Sequence, residues 1–420
     1  MVANRLISPK AKISLTRWYK DKVFIVGSEN VNYSYQNFYR SMDYLIDIKE
    51  ALEVDIYGSL INLFNFKLNL VFYDLTSTYF EGDGPDEARY GYSRDRRSDR
   101  KQILLGLCVT SDGIPIASEV FSGNVADKST LSDTVSSLQE RFDIDKVIFV
   151  CDRGMISAKN IKTLKDNYDY IIAVKKREIS ATEGLTYNNL ASFTKTDYDG
   201  LLAKEVTIDG TRYIICHNIE KAADDRTYRE GVISKVESDF EDIKLKNIEK
   251  IKVKVAEILY KRKAKKYFRL DFTGGFKYSL NGKNIKKEEA LDGKFILTTN
   301  KMDMPTSSVI SSYKTLSKVE AAFREIKDFI KIRPIYHYTK KRVRAHVFIC
   351  VLSYLVEAIM EKKLARLSIT TRSALDKLSD IKIVENILSN HRIRCVTKIN
   401  RERKKILGAL GISNITRTIL

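Results

Sequence analysis

Residues 67–81 read KLNLVFYDLTSTYFE, an apolar run rich in β-branched and aromatic residues that ends in hydroxyls. Such a run predicts a buried strand, with Asp74 near its polar end. Working outward, residues 100–113 (RKQILLGLCVTSDG) predict a second strand closed by Asp112-Gly113, and residues 114–124 (IPIASEVFSGN) a third. Turn residues stand where hairpins need them. Residues 126–142 (ADKSTLSDTVSSLQERF) predict an amphipathic helix with Asp127 as its N-cap. Residues 145–155 (DKVIFVCDRGM) then give a short strand leading into Asp152, 159–169 a helix, and 170–176 another strand. Three antiparallel strands followed by helix and parallel-type strands describe an α/β fold, a mixed sheet with helices on its faces.

The rest of the chain falls into blocks around this core. Residues 1–66 have helical spacing and form a helical N-terminal region. Residues 67–177 hold the first part of the core. Residues 178–290 read as a β-rich insertion, with a hairpin at Asp209-Gly210, a charged helical stretch over about 218–266, and strand-like alternation in FRLDFTGGFKYSL (268–280). Residues 291–360 return to the core with a strand in DGKFILTTN (292–300) and one long helix over 307–330. Residues 361–420 form a basic, helical tail.

Composition limits the chemistry. Gly and Pro number only 19 and 5, and the net charge is +19. A surplus that large points to an anionic partner, nucleic acid or membrane surface. The apolar run Val347–Val356 is about half of the ~20 residues that cross a bilayer, so it reads as a core helix. No signal-peptide core opens the chain, and a cytoplasmic location is expected. The five cysteines are scattered without a CxxC pair, and the four histidines form no HxxxH pair. Any metal site must therefore be built from carboxylates.

Asp74 and Asp152 each stand at the polar end of an apolar strand, where a carboxylate is costly unless paired or bound to metal. Either one alone reads equally well as a turn cap or as a partner of a neighbouring cation such as Arg153. Two on one sheet, followed by TSTY and by Gly154, suggest an open rim for a hard cation, Mg²⁺ or Mn²⁺. A third carboxylate is needed to hold two ions for phosphoryl transfer. In the helix over 307–330, Tyr313, Glu320 and Lys327 recur every seven residues and share one face. Leu316, Phe323 and Ile330 line the adjacent stripe. Glu320 is thus the third candidate, and Glu325, well round the helix, its rival; an ordinary solvated face is the plainer alternative.

The blocks FYDLTSTYFEG, LLGLCVTSDGIPIASEVFSGNVADKSTL, VCDRGM, DGKFILTTN and YKTLSKVEAAFREIKDFIKIRPIYHYTKKRVRAHVFICVLSYL together resemble the DDE transposases of bacterial insertion sequences. The branch with a β-rich insertion between the second Asp and the Glu is the nearer likeness. The resemblance implies an RNase H-like core and two Mg²⁺ or Mn²⁺ ions held by Asp74, Asp152 and Glu320. It also implies cleavage at element ends, transfer of the 3′-OH into target DNA, and a homodimer on double-stranded DNA. The gap 320 − 152 = 168 residues leaves room for the insertion. The family helix motif is Tyr-x2-Arg-x3-Glu-x6-Lys. Tyr313, Glu320 and Lys327 match it, while Leu316 stands at the Arg position, with Arg324 one turn on as a substitute.

Only 73 residues precede Asp74, fewer than relatives usually carry, so a truncated recognition region or a different mode of end recognition is expected. Eight Lys/Arg lie between 321 and 350, among them Arg324, Lys327, Lys331 and Arg333. Residues 89–101 (RYGYSRDRRSDRK) interleave arginines with Tyr90 and Tyr92. Such patches suit phosphate contact and base stacking, although a solvated charged face has the same look. Two rival functions stay open: a metal-dependent nuclease without strand transfer, and a non-catalytic DNA-binding relic.

Overall fold

The computed structural model describes residues 1–25, 31–64, 70–142, 148–152, 168–174, 192–208, 210–388, 391–413 and 418–419. The chain divides into two compact units, Met1–Tyr168 with Lys314–Leu420, and Asp169–Tyr313. In the first, β1 (Leu70–Tyr79), β2 (Gln102–Val109), β3 (Pro115–Ser122) and β4 (Ile148–Cys151) lie in the order β3-β2-β1-β4. β1 runs antiparallel to β2 and parallel to β4, and β2 is antiparallel to β3. The meander and the parallel strand expected from the sequence are both present. Every residue of β2 is buried, which is why it reads as one continuous apolar run. Gly106 is required there, because a Cβ would stand 2.7 Å from the Tyr73 hydroxyl. That hydroxyl lies 3.2 Å from both Thr130 and Thr134.

Of helices α1 (Val2–Ile7), α2 (Leu15–Lys22), α3 (Tyr35–Asp47), α4 (Lys49–Phe64) and α5 (Asp127–Phe142), α4 and α5 pack on β3, while α1 and α3 pack on the later helix Lys340–Leu364. A buried charge network joins α4, α5 and β3. Glu53, 4% exposed, takes Arg141 Nη1 at 2.6 Å and Lys49 Nζ at 3.0 Å. Arg141 also reaches Glu119, at 3.0 Å. Ser118 gives Glu53 its backbone N–H and hydroxyl.

A second buried polar group ties the N-terminal segment in place. His346 Nε2 donates to the Ile332 carbonyl at 2.9 Å, which leaves Nδ1 to accept from Lys12 Nζ at 3.3 Å. Burial, then the Arg5 guanidinium, hold the Lys12 ammonium down to about 7. An amine whose folded value is lowered costs stability fully below that value, and the cost fades as pH rises toward its ordinary 10.5. Lys12→Met is therefore expected to stabilise the protein by ~1–2 kcal/mol at pH 6.5. The full displacement would represent about 5 kcal/mol, less what the lost bond to His346 contributed. Thermal melts from pH 6.5 to 10 should show the advantage shrinking. An advantage that stays constant would contradict this reading.

In the second unit, β5 (Asp169–Val174), β6 (Thr194–Lys195), β7 (Leu201–Ile208), β8 (Thr211–Asn218) and a later strand β11 (Lys294–Thr299) lie in the order β5-β11-β8-β7-β6, each pair antiparallel. Between β8 and β11 come α6 (Ile219–Glu241), α7 (Ile248–Lys261), the β9 (Phe268–Asp271) and β10 (Lys277–Leu280) ribbon, and α8 (Gly282–Glu289). Asn218 and Asn247 cap α6 and α7 through their side chains. These helices share a small core with Val236, Phe240, Val255 and Leu259. The described residues of the segment 178–290 fall inside this unit, which also takes β5 and β11. The helix expected over 159–169 lies almost wholly outside the described residues.

The single helix expected over 307–330 is three pieces. α9 (Thr306–Thr315) ends at Leu316, α10 (Ser317–Arg324) follows, and Glu325–Phe329 form a π-helical turn. The cause is local. Ser311 and Ser312 both donate back to the Ser308 carbonyl, and Ser317 donates to the Lys314 carbonyl. Hydroxyls bonding the preceding turn in this way bend helices. The wide turn then slows the rotation per residue. The shared face of Tyr313, Glu320 and Lys327 assumed neither change.

α11 (Lys340–Leu364) is 25 residues long. By length and hydropathy it could cross a membrane, contrary to the shorter run counted from the sequence, but 67% of its apolar window is buried inside the protein. The C-terminal residues, expected to be helical, contain α12 (Thr371–Leu378) and α13 (Arg401–Ala409). They also hold a three-stranded sheet of β12 (Ile383–Leu388), β13 (His391–Val396) and β14 (Thr418–Ile419). The β-branched alternation in IKIVENIL accounts for that sheet.

Candidate active site

The three candidate carboxylates all belong to the first unit. Asp74 is a half-buried residue inside β1, not at its end as expected, because the strand continues through the buried hydroxyls of Thr76, Ser77 and Thr78 to Tyr79. The last paired residues of β1 and β4 are Tyr73 and Cys151, so Asp74 and Asp152 are the next residues along two adjacent strands. α10 packs on β1 and β2. Its Val319, Ala322 and Phe323 are buried, while Glu320 is exposed at the border of that apolar stripe.

Electrostatics connect them. Burial pushes the Asp74 carboxyl up to about 7, and the charges of Asp152 and Glu320 add to the rise. The Leu75 N–H, donated to Asp74 Oδ1 at 2.7 Å, and the Arg94 guanidinium pull it back. A buried carboxyl that feels two further carboxylates and one guanidinium sits in a set short of positive charge. Among the described residues, no three His, Cys, Asp or Glu side chains stand close enough to cage a metal ion as they are. The donor set nonetheless fits hard divalent cations in chemistry, being all oxygen and under-neutralised.

The cations singled out in the sequence are placed unevenly. Arg153 lies outside the described residues. Tyr313 belongs to the second unit, where its ring stacks on Phe295 at 5.9 Å. Arg324 and Lys331 are exposed. Lys327 and Arg333 both pair with Asp95, whose side chain is 3% exposed; Lys327 is 2.7 Å away. Arg333 also reaches Asp328 at 3.0 Å. Asp95 thus ties the loop after β1 to the turn that follows α10. Leu316, at the family's Arg position, is 7% exposed.

Sequence reasoning passed over Arg94. It lay within a basic run read as a surface patch. Its backbone N–H donates to Ser77 Oγ at 2.8 Å, which fastens the loop to β1 and sets the guanidinium near Asp74. The run's distance of twenty residues from Asp74 along the chain hid this. Tyr90 and Tyr92 in the same loop are 61% and 83% exposed.

A family profile described as "Transposase DDE domain" matches residues 66–356, most of the chain. The chain belongs to the DDE transposase family. Asp74, Asp152 and Glu320 all fall within the span that this DDE domain covers. No curated protein matches the chain in sequence. Among solved structures, it is similar to the piggyBac transposase synaptic complex with hairpin DNA, at 11% identity and TM-score 0.43, over 90% of this chain and 68% of that one. It is also similar to the Mos1 transposase paired-end complex with the left transposon end, at 14% identity and TM-score 0.19, over 38% and 58% of the two chains. A third likeness is the Mos1 mariner paired-end complex with Mn, at 16% identity and TM-score 0.19, over 36% and 46%.

Proposed function

We propose that this DDE transposase cuts DNA at the ends of its element and joins the freed 3′-OH to target DNA, with Asp74, Asp152 and Glu320 holding two Mg²⁺ or Mn²⁺ ions. The observation that carries the reading is the placement of Asp74, half-buried in β1, beside Asp152 at the end of the neighbouring strand and within reach of the Glu320 charge. Bound divalent cations would supply stabilisation of the attacking and leaving oxygens in phosphoryl transfer. The protein's own groups prepare the site. Leu75 N–H fixes one oxygen of Asp74, so its other oxygen is left for a ligand. Asp152 directly follows Cys151, the last residue of β4. Arg94, whose charge acts on Asp74, is suited to a DNA phosphate by its planar fork of donors. Arg324 and Lys331, exposed on either side of the π turn, extend the phosphate-binding surface, and a homodimer would present two such sites to two ends.

Incubation with duplexes carrying the DNA that flanks the gene is expected to give Mg²⁺-dependent nicks ending in 3′-OH. Those ends should then join a supercoiled target plasmid, and both steps should stop with EDTA. Cutting without any joining would favour the nuclease. The relic reading draws on the buried Leu316, which cannot contact a phosphate; end binding with no cutting in Mg²⁺ or Mn²⁺ would favour it.

A further inference from the structure

Away from those carboxylates, α11 carries Glu357 in a position that disfavours charge. The residue is 8% exposed, and its Oε2 has no hydrogen-bond partner among the described residues. A buried acceptor without a donor calls for an explanation, such as an absent ligand. Glu357 lines a cleft of ≈770 Å³ within the first unit, a volume typical of small-molecule sites. The neighbouring charges are already paired. Asp112 takes Lys362 at 2.6 Å, Glu325 takes Arg372, and Glu361 Oε2 accepts the Thr371 N–H at 2.8 Å and its hydroxyl at 2.7 Å. Four carboxylates therefore face two cations, and Glu357 holds the acceptor left over. Burial, then the Glu325 carboxylate, push the Glu357 carboxyl up to about 7. Ile114, Tyr354 and Ala358 supply apolar wall.

We infer that this cleft binds a small aliphatic organic cation, an alkylammonium or alkylguanidinium, with its charged head on Glu357 and its hydrocarbon along Ile114, Tyr354 and Ala358. A metal ion suits the cleft less well, because much of its wall is carbon, from Ile114, Tyr354 and Ala358, and two of its four carboxylates are already paired with Lys362 and Arg372. A chain of net charge +19 repels cations in general, so uptake of one marks a specific site. The cleft includes Glu325, the residue that follows α10, and its occupant would touch the turn that ends the Glu320 helix. The inference does not depend on the proposed reaction.

Calorimetric titration of the full chain with spermidine, and separately with N-acetylarginine methylamide, tests it against tetramethylammonium chloride at equal ionic strength. At least one probe is expected to bind, and at least about 10-fold more weakly to Glu357→Gln, as when one partner of a buried charge pair is removed. Tighter spermidine binding identifies a free polyamine as the source, and tighter binding of the arginine derivative a protein side chain. Ala358→Phe, which fills the cleft without touching a charge, is expected to weaken binding comparably and decides the matter if Glu357→Gln does not fold. Binding no better than tetramethylammonium, or undiminished in a folded variant, overturns the inference.

Discussion

Asp152→Asn is expected to lower Mg²⁺-dependent strand cleavage about a thousand-fold or more, while end binding changes by no more than a few-fold. Asn keeps the shape of the side chain at the end of β4 and removes its charge. A metal-held transition state loses several kcal/mol when a ligand charge is removed, and about 4 kcal/mol corresponds to three decades in rate. Binding is preserved because phosphates are held by cations, which this change leaves alone. Asp74→Asn should cost cleavage as much, with one difference that separates a ligand role from a structural one. Asp74's carboxyl is pushed up to about 7 in the metal-free protein. A carboxyl with a raised folded value costs stability above that value and costs nothing below its ordinary 3.8. A rise of that size corresponds to at most about 4 kcal/mol. Asp74→Asn is therefore expected to melt higher than the parent at pH 8 without metal, and to lose the stabilisation that Mg²⁺ gives the parent. A gel assay of end cleavage and thermal melts with and without Mg²⁺ read both effects. Cleavage above a tenth of the parent rate in Asp152→Asn would end the assignment.

Arg141→Leu is expected to destabilise the fold by about 3 kcal/mol, the lower end for breaking a buried ion pair. Glu53 would stay buried with Lys49 as its one remaining cation, and Glu119 would lose its closer partner. The size of the effect should follow pH. Burial already raises the Glu53 carboxyl despite both cations. Without Arg141 it rises further, so the loss is expected to be larger at pH 8 than at pH 5, where protonation removes the uncompensated charge. Urea unfolding of Arg141→Leu, Glu53→Leu and the double variant measures this as a cycle. The double variant should be less destabilised than Arg141→Leu alone. Purely additive losses would show that the network is not a unit.

Both predictions rest on features of different legibility. The apolar runs that carry the two aspartates were readable because apolar runs and turn residues are local signals, set by which faces of a strand are covered. That β1 continues past Asp74 to Tyr79 was not, because Thr76, Ser77 and Thr78 look polar in sequence and are buried only in the folded protein. Asp74 and Asp152 could be paired from sequence because both were expected on strands of one sheet. The Glu53–Arg141 network could not, since its partners lie 88 residues apart and each looks like an ordinary helix charge. Lys327 shows the same limit. Its spacing from Glu320 suggested a free phosphate contact, yet it pairs with Asp95, 232 residues away along the chain.

By itself, the sequence determined the α/β class, the order of strands around Asp74, and the all-carboxylate character of the site, because each follows from local periodicity and residue chemistry. Tertiary structure alone decided three things. Arg94 lies near enough to Asp74 for its charge to act on that carboxyl. Asp95 takes up Lys327 and Arg333, and Glu357 keeps one buried acceptor oxygen unpaired among the described residues. Each depends on which distant groups compete for one buried charge or carbonyl, a competition settled only when the chain has folded and water has been excluded.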